Sequence, residues 1–409
     1  MPMRVTSNLD DVRVCPDCDQ INWVNDRASS RCQRCGHFLG GHTLSVSHTI
    51  ALIIAALILL IPATEMTFVG YSVSGQGQQM TLLDSSRKLA AFHEQWLAIV
   101  VLLSVVVLPA LFLLASATIL MWRERVNYRF GRWLVRAIKY IRVWMMADVF
   151  LIGALISFIK LAGYATIEFG YGVVAFAGFV SLLLLVVERM KRHPLWPADE
   201  EASNYRNMVG QSAHEHHVVG CPVCYAANQP THAECWRCHE PLWTARLGRT
   251  SLTFALLLAA ALMLIPAQLL PIMETVALGS AQPQTIVGGV LSLWQSGDIP
   301  IAIIVFVASL VIPIAKILIL ATLAILAQQD TSKRPKSALW LYRVTDWIGR
   351  WSMIDIFVVA VLVALVRNGA LMSVYPGHAA IAFASTVILT MLAAMSFDTR
   401  QFWARKPTE

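Results

Sequence analysis

The sequence holds eight cysteines, and every one falls in a Cys-x-x-Cys pair. The pairs form two quartets: Cys15, Cys18, Cys32 and Cys35, then Cys221, Cys224, Cys235 and Cys238. Two thiolates spaced by two residues can reach one ion, and a second pair across a short loop completes a tetrahedral shell. The gaps between pairs are 13 and 10 residues, which suits a zinc ribbon. The chemistry expected is two structural Zn²⁺ ions, each held by four sulfurs with no position left open for a substrate. Redox chemistry at such pairs needs a thioredoxin-like βαβ setting, which the sequence lacks. His37 and His239 follow the last cysteine of each quartet by two residues and one. They either replace a ligand or support one from outside. His214, His216 and His217 read as a solvated linker.

A second group of residues carries charge into apolar surroundings. Lys316, Asp355, Asp148 and Lys160 fall inside or at the ends of apolar runs. A charge at the centre of a bilayer costs about 2.5–3.5 kcal/mol on insertion scales, so such residues normally face a partner or a wet cavity. Lys316 stands three residues after Pro313, and Thr390 on the last apolar run, with Ser385 and Thr386, can join it. Two readings stay open. One is an Asp–Lys pair that locks helices together. The other is a polar cluster lining a cavity that takes up a lipid head group or relays protons. Lys160 and Arg367 sit at the outward ends of their runs, where snorkelling to the head groups accounts for them.

The elements that must position these residues are membrane helices. The chain has 409 residues, 57% hydrophobic and 14% charged, with a mean hydropathy of +0.60. Soluble domains carry roughly 25% charged residues. Apolar runs at 45–66, 97–121, 143–163, 170–189, 250–272, 298–327, 351–368 and 377–396 predict eight spans. The first 43 residues are polar and contain a quartet, so no cleavable leader is expected and the first span serves as the insertion signal. The net charge of +7 is placed by side rather than by patch. Arg123, Arg125, Arg129, Arg132, Arg136, Lys139 and Arg142 follow span two, and Lys333, Arg334, Lys336, Arg343 and Arg350 follow span six. The opposite loops hold Arg87 and Lys88. Both termini and both quartets are therefore expected in the cytoplasm, whose reducing conditions favour thiolate ligands over disulfides. This placement points to a membrane partner and to no nucleic acid.

The chain also repeats itself. Leu60-Ile61-Pro62-Ala63 recurs as Leu264-Ile265-Pro266-Ala267, and Pro109 as Pro313, each 204 residues on. Trp144-Met145-Met146-Ala147-Asp148-Val149-Phe150 matches Trp351-Ser352-Met353-Ile354-Asp355-Ile356-Phe357, 207 residues on. Phe112 stands where the second half has Lys316. The expected fold class is an all-α polytopic membrane protein of two tandem four-helix modules, each preceded by a small cytoplasmic zinc-ribbon module. The expected boundaries are 1–43, 44–196, 197–246 and 247–409. An even number of spans per repeat makes the repeats parallel. The outward loops at 67–96 and 273–297 are polar, and the alternation in Thr67–Val73 predicts a short β-hairpin.

No phosphate-binding G-x-x-x-x-G-K-[ST] loop, no H-E-x-x-H and no G-x-S-x-G is present, so no ATPase, zincin or serine hydrolase is indicated and no enzyme is expected. The whole chain resembles the paraquat-inducible protein A family of bacterial inner-membrane proteins (PqiA/LetA-like). The resemblance rests on the double quartets, on Leu264-Ile265-Pro266-Ala267 with Leu270-Pro271-Ile272, and on Pro313 to Lys316. It rests also on Gly349-Arg350-Trp351-Ser352-Met353-Ile354-Asp355 and on Phe397-Asp398-Thr399-Arg400 with Trp403. It implies rubredoxin- or ribbon-like zinc modules and tetraspanin-like helix units. It implies a role in lipid transport between membranes, in which the protein loads phospholipid into, or receives it from, a periplasm-spanning MCE-domain tunnel protein (PqiB/LetB-like). It also implies a transport polar network of Lys316, Asp355 and Thr390. One departure is Gly163, which stands where some members have an Asp to pair with the counterpart of Lys160. The alternative from another class is a zinc- or redox-sensing membrane scaffold without transport of its own. A Cys→Ser variant separates these: a structural ion predicts loss of protein, and a sensor predicts loss of signalling with the fold intact.

Overall fold

A computed structural model describes residues 11–24, 29–40, 45–73, 76–91, 95–121, 128–162, 166–192, 200–242, 250–277, 280–295, 297, 299–328, 335–366 and 372–403. Each quartet is built on short hairpins. In the first, β1 (Asp11–Val14) pairs antiparallel with β2 (Ile21–Val24), and β3 (Ser30–Arg31) with β4 (Phe38–Gly40). Each hairpin turns through one Cys-x-x-Cys.

The first membrane unit follows. Helix α1 (Val46–Glu65) leads into a sheet in which β5 (Thr67–Val73) lies between β6 (Gln76–Thr81) and β7 (Thr166–Phe169). The hairpin expected at Thr67–Val73 is therefore present. A third strand, from 100 residues later in the chain, completes it. Helix α2 (Leu82–Ala91) is short and amphipathic. Helices α3 (Gln95–Leu102) and α4 (Leu108–Met121) form one rod joined by a π-turn at Leu103–Val107. Then come α5 (Tyr128–Trp144), α6 (Ala147–Ala162) and α7 (Tyr171–Arg192).

A 3₁₀ segment, Glu200–Met208, packs on the first module, and the hairpin of β8 (Val219–Gly220) and β9 (Ala227–Asn228) turns through Cys221 and Cys224 of the second quartet. The second membrane unit repeats the first: α8 (Thr250–Leu269), β10 (Met273–Ala277), β11 (Ser280–Gln284), α9 (Ile286–Gln295), α10 (Ile299–Phe306), a π-turn at Val307–Val311, and α11 (Ile312–Gln328). After these stand α12 (Pro335–Gly349), a 3₁₀ turn at Arg350–Met353, α13 (Ile354–Val366), β12 (Met372–Pro376), α14 (His378–Ser396) and a last turn at Thr399–Phe402. Strand β10 is central between β11 and β12.

Among the described residues seven helical stretches are long and apolar enough to cross a membrane, and the protein is multi-pass. The exception among the eight expected spans is 351–368. Its described helix, α13, has 13 residues, about 20 Å at 1.5 Å per residue, against a hydrocarbon core of about 30 Å. The third span also differs from 143–163. Its helix breaks at Met145 and Met146, and α5 before the break is amphipathic.

Packing explains why the repeat holds. In each unit the first and last helices lie together, α1 with α7 and α8 with α14. Each last helix is entered through a glycine that touches the chain at the end of the first. A Cβ on Gly170 would lie 1.9 Å from the Thr67 carbonyl oxygen, and one on Gly377 would lie 2.1 Å from that of Pro271. No other residue fits there. Pro109 and Pro313 each stand second in the helix after a π-turn. Proline lacks the N–H that would bond the carbonyl four residues back, and the wider π-turn accommodates its ring. The carbonyl that Pro313 leaves free, that of Ser309, accepts Gln268 Nε2 at 3.3 Å.

The units meet through their third helices. Phe150 of α6 and its counterpart Phe357 of α13 stack edge to face, with centroids 5.6 Å apart. Ser157 Oγ donates to the Gly153 carbonyl at 2.8 Å and lies 3.3 Å from that of Val358. Outer faces stay apolar: Ile61 is 65% exposed and Leu258 64%, as helices solvated by lipid require.

Candidate metal centres and charged positions in the helices

The four Cys-x-x-Cys turns are alike. The residue after each second cysteine, Asp19, Gly36, Tyr225 or His239, takes a left-handed backbone with φ between 54° and 73°. Its N–H donates to the carbonyl of the first cysteine, at 3.0, 2.9, 3.1 and 2.8 Å in chain order. The N–H of each first cysteine donates back across the turn, to the carbonyls of Gln20, His37, Ala226 and Glu240 at 2.8–2.9 Å. This geometry turns both sulfurs of a pair to one side.

Within each quartet all sulfurs lie within 4.8 Å of one another. Cys15 and Cys35 are 3.5 Å apart, Cys18 and Cys32 3.3 Å, Cys221 and Cys238 3.4 Å, Cys224 and Cys235 3.5 Å. Disulfides need about 2.05 Å. Tetrahedral zinc with ~2.3 Å bonds sets its sulfurs ~3.8 Å apart, so the quartets fit that ion with little movement. Crowding also favours a cation. Hydrogen bonding to Cys15 and Cys221 pulls the thiols of Cys32 and Cys235 down, while burial pushes that of Cys224 up. A dication would let all four ionise. His37 Nδ1 lies 2.9 Å from Asp17 Oδ2, and His239 Nδ1 3.1 Å from Glu234 Oε2. Each imidazole is thus engaged with a carboxylate, and four sulfurs already complete each group. His214, His216 and His217 are exposed in a turn, but the segment around them is not a loose linker. It folds back on the first module, with Ile21 N–H donating to the Gln211 carbonyl and Ala213 N–H to that of Asp19.

The two modules form one body. Val14 N–H donates to the Tyr225 carbonyl at 2.8 Å. Arg237, fully buried, makes a bidentate pair with Asp11 at 2.7 and 3.0 Å, and Arg13 Nε reaches the same carboxylate at 3.0 Å. Burial pushes the Asp11 carboxyl up, and the two guanidinium groups outweigh it and hold it below the usual range. The same balance, with His37 and Arg343 as partners, lowers Asp17. Burial raises Asp19 to about 6, with Arg400 pulling against it.

This body docks crosswise on the membrane units. Arg136 of α5 and Arg343 of α12 occupy the same place in the two repeats, 207 residues apart. Arg136 of the first unit pairs with Glu240 of the second module at 3.4 Å, and Tyr140 donates to the same carboxylate at 2.8 Å. Arg343 of the second unit pairs with Asp17 of the first module, Nε at 3.0 Å, and reaches the Cys35 carbonyl at 3.3 Å. The guanidinium of Arg34 stacks 4.4 Å over Trp403 at the far end of the chain. Each cysteine module thus sits on the unit it does not precede.

Lys316 is buried, 3% exposed, in α11. Its ammonium fills the space that a side chain at Gly349 would take: a Cβ there would lie 2.5 Å from Nζ. Asp346, one turn earlier on α12, is the acidic group whose charge reaches it. Sequence reasoning missed Asp346 and named Gly349 only within a motif, with no tie to Lys316. Aligning the repeats would have flagged them, because Arg142 holds the place of Gly349 and Lys139 that of Asp346 in the first unit. Thr390 is buried on α14, which packs on α11, but its hydroxyl donates to the Val387 carbonyl of its own helix at 2.9 Å. Asp148 and Asp355 each stand second in their helices, α6 and α13. There the positive helix end favours a carboxylate. Asp148 is half-buried, while the side chains of Asp355 and Lys160 lie outside the described residues.

Comparison with known proteins follows the same division. The family model described as paraquat-inducible protein A matches twice, over residues 46–199 and 251–406. The chain is 34% identical over 405 residues to the intermembrane transport protein PqiA of Escherichia coli (strain K12), covering 96% of each. It is 28% identical to a probable intermembrane transport protein of Haemophilus influenzae, covering 98% of this chain and 97% of that one. It is 27% identical to the lipophilic envelope-spanning tunnel protein A of Escherichia coli, covering 96% and 91%. No solved structure matches the chain.

Proposed function

The chain belongs to the paraquat-inducible protein A family, and on that premise we propose that it is the inner-membrane component of a system that moves lipids between membranes. It hands phospholipid to, or takes it from, a periplasm-spanning MCE-domain tunnel protein. Both cysteine modules and both termini face the cytoplasm, and each quartet holds one structural Zn²⁺. The names of its relatives, an intermembrane transport protein and an envelope-spanning tunnel protein, support the class of activity.

The observation that carries the site is the buried ammonium of Lys316 in an otherwise apolar helix set. Such a charge is costly unless a partner or a polar guest offsets it. Lys316, with Asp355 at the start of α13 and Thr390 on α14, forms the polar network that meets a lipid head group. Asp148 and Lys160 of the first unit belong to the same set of helix-borne charges. Lys316→Ala and Asp355→Ala should each abolish envelope function while the protein accumulates at its normal level. The measurement is detergent sensitivity of cells lacking the chromosomal copy, beside an immunoblot. Full complementation by well-expressed variants would sink the assignment.

A further inference from the structure

Where the two cysteine modules meet the first membrane unit they roof a partly open cavity of about 480 Å³. Its floor is apolar, formed by Phe112 of α4, Val135 and Ile138 of α5, and Met190 of α7. Its walls carry four cations, Arg13, Lys139, Arg142 and Arg343, and one acid, Glu188, which is itself engaged. Three of the cations are tied down by the protein. Arg13 is held by Asp11 and the Leu39 carbonyl, Arg343 by Asp17, and Lys139 by the Pro222 carbonyl. Arg142 is different. It stands in the last turn of α5, half-buried, and no hydrogen bond or ion pair holds its guanidinium among the described residues.

The cavity therefore offers a fixed positive field, one guanidinium with no partner among the described residues, and an apolar bed below. The planar fork of a guanidinium matches a phosphate in two-point contact. A bare anion has no use for the apolar bed, and a neutral lipid has none for the cations. An amphiphile with a net-acidic phosphate head uses both. Trp133 and Tyr140, exposed on the outer face of the same helix at 57% and 49%, place α5 at head-group depth.

We propose that this cavity binds the head of an acidic phospholipid from the leaflet on the cysteine-module side, one per chain, with Arg142 as the recognising group. The phosphate meets Arg142 and Lys139, and the first methylenes lie over Phe112 and Ile138. The second unit cannot build the same site. Gly349 stands in the place of Arg142, Asp346 in that of Lys139 and Lys316 in that of Phe112. The cavity on its side, about 340 Å³, is lined by Asp17 and Asp398 beside Arg400 and by Lys139, which reaches it from the first unit. The assignment needs no lipid movement and so stands apart from the transport reading.

The test is binding of three probes to the purified, zinc-loaded full chain in detergent: dihexanoyl phosphatidylglycerol, dihexanoyl phosphatidylcholine and inorganic phosphate. The phosphatidylglycerol should bind one to one and at least tenfold tighter than either other probe. Arg142→Gln should lose at least tenfold in affinity, and Arg142→Lys should lose less. Met190→Trp, which fills the floor and leaves every cation in the sequence, serves as a second loss variant should Arg142→Gln fail to retain two zinc ions and the wild-type melting temperature. Equal affinity for the two lipids would overturn the proposal, as would unchanged binding in the well-folded loss variants. Inorganic phosphate binding as tightly as phosphatidylglycerol would overturn the lipid as its source.

Discussion

Phe112 and Lys316 stand at one place in two copies of the same unit, and the helix that faces each has changed to match. Opposite Phe112 the first unit carries Arg142 and Lys139. Opposite Lys316 the second carries Gly349 and Asp346. The cation has crossed from the fifth helix of one unit to the rod helix of the other. What did not change is what shapes the backbone: Pro109 and Pro313 after their π-turns, Gly170 and Gly377 against a carbonyl, Phe150 and Phe357 across the central contact. Packing residues preserve the duplicated fold, and charges are exchanged within it. Two polar sites with different chemistry can therefore occupy one architecture.

Arg136 and Arg343 sharpen the contrast, because here both residue and task are kept. Each clamps an acidic side chain of a cysteine module, and each takes the module that the other unit's sequence would suggest. Losing the metal from one quartet should therefore report on the opposite unit. Apparent zinc-binding energies of structural sites are about 10–16 kcal/mol, which makes this the largest effect expected. Cys18→Ser should lower the zinc content from two ions to one and raise amide exchange in α12 and in the Thr399–Phe402 turn. Cys224→Ser should instead raise it in α5. Both variants loosening the same unit would break the crossed arrangement.

The join between the modules comes next. Arg237→Ala leaves the buried Asp11 carboxylate without its main partner, and breaking such a pair costs about 3–5 kcal/mol. The expected outcome is a lower midpoint in thermal melts, partly restored by adding Asp11→Ala. A smaller effect tests the exchanged charges directly. Gly349→Ala brings a Cβ against Lys316, and overpacking of this kind costs about 1–3 kcal/mol. Gly349→Arg should cost more alone than together with Lys316→Phe, the combination found in the first unit. A coupling of roughly 0.5–3 kcal/mol in the double-mutant cycle is expected for residues that share one space. Additive effects would show that they do not.

The smallest effect is with pH. Asp11 titrates lower when folded than when unfolded, so its share of stability is fully present above the ordinary carboxylate range. That share is lost as pH falls through the depressed folded value. Wild type should weaken over that acid window more steeply than Asp11→Asn, as read from melting temperatures in an acid series. An equal slope would remove Asp11 from the contacts that join the modules.

Near-neighbour chemistry made much of this protein legible from its residues alone. The cysteine quartets follow from a two-residue spacing, because sulfurs so placed can share an ion wherever the chain goes next. The helices follow from apolar runs, because a backbone in hydrocarbon must bond to itself. The duplication follows from matched motifs at 204 and 207 residues. The remaining features are contacts between distant parts of the chain. The third strand of each sheet, the partners of Lys316 on α12, the pairing of Arg343 with Asp17 and the refolding of residues 205–218 onto the first module have no local signature. They are chosen by which surfaces come together once helices and turns exist, and only the tertiary structure decides that. The cysteines thus determined what each module is, and the packing of arginine on aspartate determined which half of the membrane domain it serves.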